Sequence, residues 1–373
     1  MHITLSYNLH MNKEIIIGAF IISFLCSFFI NAVARGIARK NNILIDLPDK
    51  NRKFHKRATP LTGGISIYLG SILSIYLMQI LGIFSIEQSH YQHAILVCGA
   101  IIVISFLFDD ALELNSLLRL LIQVFIALVF VIWSDTYLIN LGDLFGFGFI
   151  VLNKPLSLFF TTFCIVGVMN AFNMIDGING LCSGLVFIAM LILGIFYNGF
   201  IYTQLVFAVG AIAGFLIFNL GIIGKKRWVF LGDHGSNLLG FLTAMAMIGA
   251  SQELVFNFSP VTALWLIAVP FLDCIGLILK RLLRGVGPFT ADREHLHHKL
   301  MDKGYSAKTT LIIILCLAIF ASLLGIILQN MFSDTVSFYC FIIFGLGFYY
   351  YSHIFSKTDK LELANDKIFK KSL

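Results

Sequence analysis

The stretch NAFNMIDGINGL, residues 170–181, follows an apolar run of membrane-spanning length and carries polar side chains at regular spacing. Asn170, Asn173 and Asp176 recur every third residue, so they share one broad face of a helix. Two glycines beyond them allow the chain to turn. Amide and carboxylate oxygens at a membrane boundary suit a hard cation and a polar ligand. A patch of polar contacts between helices, closed by a glycine cap, is the alternative interpretation.

The composition excludes a soluble protein. Hydrophobic residues make up 58% of the chain and charged residues 12%, and the mean hydropathy is +0.90, whereas soluble domains carry roughly 25% charged residues. We therefore predict an all-α polytopic integral membrane protein. Apolar runs of about 20 residues indicate about eleven transmembrane helices, near 14–34, 61–83, 93–110, 116–134, 156–175, 181–198, 201–222, 236–251, 260–280, 308–329 and 333–354.

The basic residues predict the orientation. If the segment 35–60 is cytoplasmic and the spans alternate, only Lys13 and Lys154 of the 26 Lys and Arg residues lie outside. The positive-inside rule then places the amino end in the periplasm and the carboxyl end in the cytoplasm. The net charge of +6 reflects this asymmetry and does not argue for nucleic acid. We expect a single membrane-embedded domain, 1–373, with cytoplasmic loops 35–60, 223–235 and 281–307 and a basic tail 355–373.

The first cytoplasmic loop combines positive charge with glycine. Its sequence DLPDKNRKFHKRATPLTGG, residues 46–64, includes Lys53, His55, Lys56 and Arg57. These side chains could hold a phosphate, and the glycine pair would admit a ligand or a neighbouring helix. An anchor that touches anionic lipid is the alternative.

The third span ends in two adjacent aspartates, Asp109 and Asp110. Carboxylates at a membrane boundary are costly unless they are paired or used. Adjacent helical residues point about 100° apart, so the two are not expected to share a proton. Each therefore requires its own partner, and Arg119 is a structural candidate for one of them.

A further loop, KKRWVFLGDHGSNLLG at 225–240, places Asp233 between glycines just before a new helix. A helix start offers N–H groups to phosphate, and the aspartate offers oxygen to Mg²⁺. Ser236 is expected to cap the helix, and Phe230 could stack on a base. A purely structural cap is the alternative.

The ninth span carries Asp273 and leads into a loop rich in basic residues and histidines. Asp273 is either a helix-packing partner of the basic residues that end the span or part of a site. Arg293, His295, His297 and His298 gather positive charge and hydrogen-bond donors, which favours anion binding. Zinc is the alternative, but no cysteines lie nearby.

With the predicted orientation, all these polar motifs lie on the cytoplasmic face. A transporter would more naturally place its charges at the bilayer midplane, with access from both sides. We find no Walker A pattern and no Rossmann glycine fingerprint. The arrangement therefore favours a membrane enzyme, and a lipid or solute transporter is the alternative class.

In this order, the motifs resemble those of the polyprenyl-phosphate N-acetylhexosamine-1-phosphate transferase superfamily over nearly the whole chain. The residues that carry the resemblance are DLPDKNRKFH at 46–55, PLTGG at 60–64, Asp109 and Asp110 with Arg119 and Gln123, NAFNMIDGINGL at 170–181, FLGDHGS at 230–236 and GPFTADREHLHH at 287–298.

The resemblance implies transfer of a sugar 1-phosphate from a UDP-sugar to a polyprenyl phosphate, with release of UMP and a requirement for Mg²⁺ or Mn²⁺. Its bacterial branch implies UDP-GlcNAc and undecaprenyl phosphate as substrates. The setting would be the bilayer of the bacterial inner membrane, at the first membrane step of O-antigen and other cell-surface polysaccharide synthesis. Another UDP-N-acetylhexosamine stays open as the donor, and so does a homodimer.

The resemblance also implies roles for single residues. Asp233 corresponds to the aspartate that binds Mg²⁺, with Asn173 beside it. Phe230 corresponds to the aromatic residue that stacks on uracil, with Asp176 nearby in the nucleotide site. Asp109 matches the proposed base that acts toward the lipid phosphate.

The catalytic candidates are Asp109, Asp110, Asp176 and Asp233. The remaining candidates are expected to bind substrate. Arg293, His295, His297 and His298 correspond to the loop that handles the pyrophosphate and the sugar. Lys56, Asn170 and Asn179 are the other substrate-binding candidates. Bacterial relatives often have a second aspartate in D-G-x-D-G, where this chain has Asn179.

The chemistry of the acceptor argues against a base. A phosphate monoester has its second pKa near 6, so roughly nine in ten acceptors are already dianions at neutral pH. We therefore expect Asp109 mainly to orient the acceptor, through a cation or a basic side chain, in a direct single displacement.

Overall fold

The protein is a bundle of helices with two very short strands. The computed structural model describes residues 13–47, 58–83, 90–197, 205–253, 257–285, 287 and 294–355. Within them the helices are α1 (Lys13–Asn41), α2 (Gly63–Ile80), α3 (His90–Leu112), α4 (Ser116–Ser134), α5 (Lys154–Ile175), α6 (Leu181–Phe196), α7 (Leu205–Asn219), α8 (Asp233–Gln252), α9 (Pro260–Leu266), α10 (Ala268–Leu283), α11 (Leu296–Asp302), α12 (Ala307–Met331) and α13 (Asp334–Tyr349), with a 3₁₀ turn at Lys225–Arg227 and a π-helical turn at Tyr350–Phe355.

Each predicted apolar run coincides with a helix, and one run is divided into two. Among the described residues, seven helices are long and apolar enough to cross a membrane, or eight if α9 and α10 form one broken span. Helices α6 and α7 are apolar but shorter. The chain is therefore a multi-pass membrane protein. The count of eleven spans and their orientation stay predictions.

The predicted ninth span bends by 85° between α9 and α10. Ile267 lies at the break, with φ −111° and ψ 20°. Pro270 follows in the first turn of α10, where its missing N–H removes no intrahelical hydrogen bond. The bend changes the direction of the chain before it reaches Asp273.

Small residues bring α1, α2 and α7 into close contact. A Cβ added to Gly70 would lie 2.7 Å from Cα of Ser27, and one added to Gly210 would lie 2.6 Å from the carbonyl oxygen of Phe20. Glycine therefore permits backbone-to-backbone packing here, which is the usual means of helix association in lipid.

Helix α8 lies at the centre of the bundle, and most of its residues are buried on every side. Phe241 packs edge to face against Phe130 of α4, with ring centroids 5.3 Å apart. Gly240 lies against the backbone of α5, because a Cβ there would be 2.7 Å from Cα of Met169. The position of α8 therefore fixes the position of Asp233, its first residue.

A short antiparallel pair lies between α1 and α2, and a parallel bridge next to it reaches the loop before α8. Strand β1 (Ile45–Asp46) pairs with β2 (Thr59–Pro60), and Leu61 forms a parallel bridge to Phe230. The N–H of Phe230 donates to the carbonyl of Pro60 at 2.8 Å, and the N–H of Gly63 donates back to Phe230 at 3.1 Å. These bonds hold both loops at the same end of the bundle.

At the opposite end, the segment between α4 and α5 forms a small hairpin. Asn140 pairs with Val151, and the side chain of Gln252 at the end of α8 accepts from the N–H of Ile139 and Asn140. This hairpin is remote from the polar motifs.

The close packing of α1 against α2 gives a first prediction. Gly70→Ala should destabilise the protein by about 1–3 kcal/mol, because the added methyl group meets the backbone of Ser27. The melting temperature in detergent should therefore fall. Gly18→Ala in α1 is the control, since a Cβ there meets nothing within 4 Å. Equal melting temperatures for the two variants would contradict the packing argument.

Candidate active site

Asp233 is the centre of the polar cluster. Its carboxylate Oδ1 accepts from Nδ2 of Asn173 at 3.0 Å, and Oδ2 accepts from Nη1 of Arg119 at 3.3 Å. The side chain remains 39% exposed. A ligand from solution can therefore reach a carboxylate whose direction is set by α4 and α5.

The two adjacent aspartates have different partners, as their helical spacing predicted. Asp109 is buried, and its Oδ1 accepts from the N–H of Leu114 at 2.9 Å while its Oδ2 lies 3.5 Å from Nε of Arg119. Asp110 instead faces α8, where its Oδ2 lies 2.5 Å from Nδ1 of His234. Asp109 therefore holds the arginine, and Asp110 holds the start of a helix.

The expectation that Ser236 caps α8 is wrong. The helix begins one turn earlier, at Asp233, and follows Gly232, which has φ +76° and offers no side-chain acceptor. Asp110 of α3 accepts from the N–H of Asp233 at 2.9 Å in its place. Ser236 lies inside the helix, where its hydroxyl accepts from Nδ2 of Asn173 at 2.9 Å.

A buried chain of hydrogen-bonded side-chain amides leads to the backbone of Asp233. Nδ2 of Asn170 donates to Gln123 at 2.7 Å, and Nε2 of Gln123 donates to Asn237 at 2.7 Å. Nδ2 of Asn237 donates in turn to the carbonyl of Asp233 at 2.8 Å. Gln123 and Asn237 each donate and accept in this chain, and Nδ2 of Asn170 also donates to the carbonyl of Val166 at 2.8 Å, so Asn170 is part of the framework of the site.

The turn after α5 is held by one buried side chain. Asn219, at the end of α7, accepts from the N–H of Gly180 at 2.5 Å and donates to the carbonyl of Val229 at 2.9 Å. Gly180 has φ +82°, which glycine adopts readily. Asn219 thereby ties the turn carrying Asp176 to the loop carrying Asp233.

Asp176 lies just beyond the end of α5 and remains accessible to solvent. Protein packed around it raises the pKa of its carboxyl to about 8, and the negative charges of Asp233 and Asp110 add to that shift. Carboxyl groups therefore crowd together here, and a cation bound among them would favour their ionised forms.

The histidine loop is positioned by α10. Oδ2 of Asp273 lies 2.8 Å from Nδ1 of His295, and its Oδ1 accepts from the N–H of Leu296 at 2.9 Å. Asp273 is thus part of the site's framework, and both of these contacts are to the histidine loop. The start of α11 is fixed as a result.

His297 touches the turn after α5, where a Cβ on Gly177 would collide with its Nε2. Burial lowers the pKa of His297 to about 3, with further contributions from His298 and His295. Neither of its ring nitrogens has a hydrogen-bond partner among the described residues. An unpaired buried polar group costs about 1–3 kcal/mol unless water or a ligand pairs with it, so His297 is a neutral group suited to a substrate.

The described residues contain no group of three or more His, Cys, Asp or Glu side chains arranged to hold a metal ion. Oxygen atoms that could bind a metal are nevertheless present. Both side-chain hydrogen bonds of Asn173 use Nδ2, which leaves the side-chain oxygen Oδ1 available. Mg²⁺ usually binds one or two carboxylates together with water and substrate phosphates. The donor set of Asp233 and Asn173 therefore fits Mg²⁺.

The structure brings most of the predicted site residues to one end of the bundle. Phe230 is half-buried beside Pro60, and Asn179 is half-buried in the turn before α6. His298 packs against His297, with ring centroids 4.2 Å apart. Lys56 and Arg293 lie outside the described residues.

Sequence reasoning missed three residues that hold the site together: His234, Asn219 and Asn237. Asn219 stands alone in an apolar run, and such an isolated polar residue in a membrane helix is a signal of function or of a buried contact. His234 and Asn237 lie within a motif that had been noticed, but their partners are more than 100 residues away.

Known proteins are similar in sequence to this chain over most of its length. The glycosyl transferase family 4 domain matches residues 92–251, which contain Asp109, Asp176 and Asp233. An undecaprenyl-phosphate alpha-N-acetylglucosaminyl 1-phosphate transferase of Escherichia coli (strain K12) is 32% identical over 93% of this chain and 91% of that protein. The chain belongs to glycosyl transferase family 4. Proteins of the same name from Yersinia pestis and Pasteurella multocida are 33% and 32% identical to this family 4 chain, over 78% and 82% of its length and 79% and 85% of theirs. The resemblance drawn from the motifs is confirmed.

The buried amide chain gives a second prediction. Gln123→Met should destabilise the protein by about 1–3 kcal/mol, because the similar-sized side chain leaves the amides of Asn170 and Asn237 with unpaired polar atoms. The melting temperature in detergent should fall. Leu121→Met, at an exposed position of the same helix, should leave it unchanged. A melting temperature equal to the wild type for Gln123→Met would show that the amide chain carries no stability.

Proposed function

We propose that this protein transfers GlcNAc-1-phosphate from UDP-GlcNAc to undecaprenyl phosphate, giving undecaprenyl-pyrophosphoryl-GlcNAc and UMP. The names of the family 4 relatives and the chemistry of the polar cluster support this proposal. The reaction would be the first membrane step of O-antigen or other cell-surface polysaccharide synthesis.

The observation that carries the proposal is the convergence of acidic, amide and imidazole groups at one end of the bundle. Asp233, Asn173 and Asp176 lie there, and His297 reaches the turn next to Asp176. Phosphoryl transfer depends on positioning and on neutralising charge more than on covalent help from the protein. A site that mixes carboxylates with cationic and neutral donors meets both requirements.

Asp233 and Asn173 would hold Mg²⁺ or Mn²⁺ through their oxygen atoms. When bound, the cation would offset the negative charge of the two substrates' phosphates beside the carboxylates. The carboxylates of Asp233 and Asp110 close to Asp176 support this assignment, since their negative charges add to the rise that burial produces in the pKa of Asp176. Nη1 of Arg119 also donates to Oδ2 of Asp233 and helps to orient its carboxylate.

The donor nucleotide would lie between the loops that precede α6 and α8. Phe230, whose backbone is clamped to Pro60, would stack on uracil, and Asp176 would lie near the ribose and phosphates. His297, with His295 and His298, would donate hydrogen bonds to the pyrophosphate and the sugar. Arg293, Lys56, Asn170 and Asn179 complete the proposed substrate-binding set.

Asp109 would act on the acceptor through Arg119. Its carboxylate is buried and lies 3.5 Å from Nε of Arg119, whose Nη1 reaches Asp233. The guanidinium is thereby fixed next to the place where a phosphate dianion would bind. This geometry supports orientation of the acceptor in a direct displacement, with Asp109 as a positioning residue.

We place the protein in the bacterial inner membrane as a single domain of eleven spans, with the amino end periplasmic, the carboxyl end cytoplasmic and the site on the cytoplasmic face. The convergence of the motifs at one end of the bundle supports this arrangement. The cytoplasmic loops would be 35–60, 223–235 and 281–307. The ends of these ranges include residues of α1, α8 and α10, and α11 lies within the third range. A homodimer is compatible with the sequence.

Two alternatives define the test. Another UDP-N-acetylhexosamine would keep the same chemistry, because the sugar contacts depend on the histidine loop. A lipid or solute transporter would need its polar groups near the middle of the membrane with access from both sides, whereas Asp233, Asp110 and Asn173 lie at helix ends.

The third prediction tests the reaction. Purified protein with UDP-GlcNAc, undecaprenyl phosphate and Mg²⁺ should release UMP, and EDTA should abolish the release. Asp233→Ala should lower the rate by at least about 10²-fold, as expected for a group that stabilises transition-state charge.

The controls distinguish the alternatives. Asp143→Ala, in the hairpin at the opposite end, should retain activity. Release of UMP only from another UDP-amino sugar would change the donor and keep the mechanism. No release from any donor by folded protein would favour the transporter.

The fourth prediction concerns Asp109. Asp109→Asn should lower the rate by a similar factor from pH 6 to pH 8, because the acceptor is already mostly a dianion above its second pKa near 6. Rates of UMP release across this range, at saturating Mg²⁺, provide the measurement. A loss confined to below about pH 6, with full recovery at pH 8, would assign Asp109 the role of a general base.

A further inference from the structure

The start of α8 is held by a residue from another helix. The N-terminal N–H groups of a helix lack partners within the helix. Gly232 precedes α8 and has no side chain to cap it. Oδ1 of Asp110 accepts from the N–H of Asp233 at 2.9 Å, and Oδ2 lies 3.4 Å from the N of His234. Asp110 therefore serves as an N-cap from 123 residues away in the sequence.

The same carboxylate binds an imidazole. Nδ1 of His234 lies 2.5 Å from Oδ2 of Asp110. Because both oxygens of Asp110 accept backbone N–H groups or face them, Nδ1 carries the proton and donates. His234 is completely buried, and the Asp110 side chain is 7% exposed. The pair is thus enclosed within the protein, whereas the neighbouring Asp233 is open to solvent.

Two glycines make room for this pair. A Cβ on Gly64 would lie 2.5 Å from Cδ2 of His234, and a Cβ on Gly232 would lie 2.8 Å from Oδ2 of Asp110. The N–H of Gly64 also donates to the carbonyl of Leu231 at 3.2 Å. Gly64, in the first turn of α2, therefore accommodates the imidazole of His234, in addition to any ligand contact.

The arrangement separates two tasks between neighbouring residues. Asp233 presents its carboxylate toward solvent, oriented by Asn173 and Arg119. Asp110 directs its oxygens inward, at the backbone of Asp233 and the ring of His234. With its oxygens turned inward in this way, Asp110 is poorly placed to bind a cation or a phosphate.

We propose that Asp110 and His234 are a positioning pair, which fixes the first turn of α8 and thereby aims the Asp233 carboxylate, and that neither side chain contacts metal or substrate. The inference rests on the proposed function for its catalytic consequence. It also assigns a role to His234, a residue without one in the proposed mechanism.

The fifth prediction compares conservative with disruptive substitutions. Asp110→Asn keeps an oxygen for the N–H of Asp233, and His234→Asn keeps a donor near the position of Nδ1, so each should retain activity within about fivefold of the wild type. Asp110→Ala and His234→Leu should each lose about 10- to 100-fold, the worth of a hydrogen bond to a charged group. The double variant should be no worse than Asp110→Ala alone, because the two residues act as a unit.

The decisive readout is the Mg²⁺ concentration that gives half-maximal UMP release. In Asp110→Ala and His234→Leu this Mg²⁺ concentration should rise severalfold, because the carboxylate of Asp233 is no longer held in the orientation that binds the cation. A general loss of folded protein would lower the maximal rate and leave this concentration unchanged. Asp135→Asn, at an exposed position near the opposite end, is the matched control.

Three outcomes would overturn the proposal. One is loss of activity in Asp110→Asn as complete as in Asp233→Asn, which would make Asp110 a direct ligand. The others are independent, additive losses in the double variant and an unchanged Mg²⁺ requirement in the disruptive variants.

A second measurement does not depend on enzymatic activity. Hydrogen exchange of the peptide spanning residues 229–238 should become faster in Asp110→Ala and His234→Leu, and should stay unchanged in Asp135→Asn. Absence of UMP release by the wild type would defeat the proposed function alone. Unchanged exchange in the disruptive variants would defeat the positioning pair.

Discussion

The first turn of α8 is the point on which the polar end of this protein depends. Most residues of α8 are buried against α5, α3 and α2, and the N–H group of its first residue finds its acceptor in the protein. Asp110 supplies the acceptor, and Asn237 returns a hydrogen bond to the carbonyl of Asp233. The start of α8 is thus held by Asp110 from α3 and by Asn237 one turn further along α8, and the site is built around that pairing.

The aspartates at this end of the bundle differ in burial and in their partners. Four carboxylates, Asp109, Asp110, Asp176 and Asp233, gather where apolar helices end. Asp109 is matched by Arg119 and Asp110 by His234, which leaves Asp233 and Asp176 accessible. The two buried carboxylates are thus paired within the protein and the other two are accessible, an arrangement that fits the proposed metal-dependent phosphoryl transfer.

Helices far apart in the sequence are joined by single side chains at this end. Asn219 links the turn before α6 to the loop before α8, and Asp273 links α10 to α11. His297 then contacts Gly177, which brings the histidine loop to the end of α5. Because each link is a buried hydrogen bond or a contact without spare room, the loops of the site have little freedom to separate.

The sequence by itself determined the class of protein, the positions of its helices and the set of polar motifs that meet at one end. These properties follow from hydropathy, charge and helical spacing, which are local along the chain. It also predicted that Asp109 and Asp110 have separate partners, because adjacent helical residues point in different directions. Only the tertiary structure decided which partners these are, that α8 begins at Asp233 with a remote cap in place of Ser236, and that His234 and Asn219 hold the site. Such contacts join residues 39 to 124 positions apart, and they depend on how the helices pack, which no local pattern records.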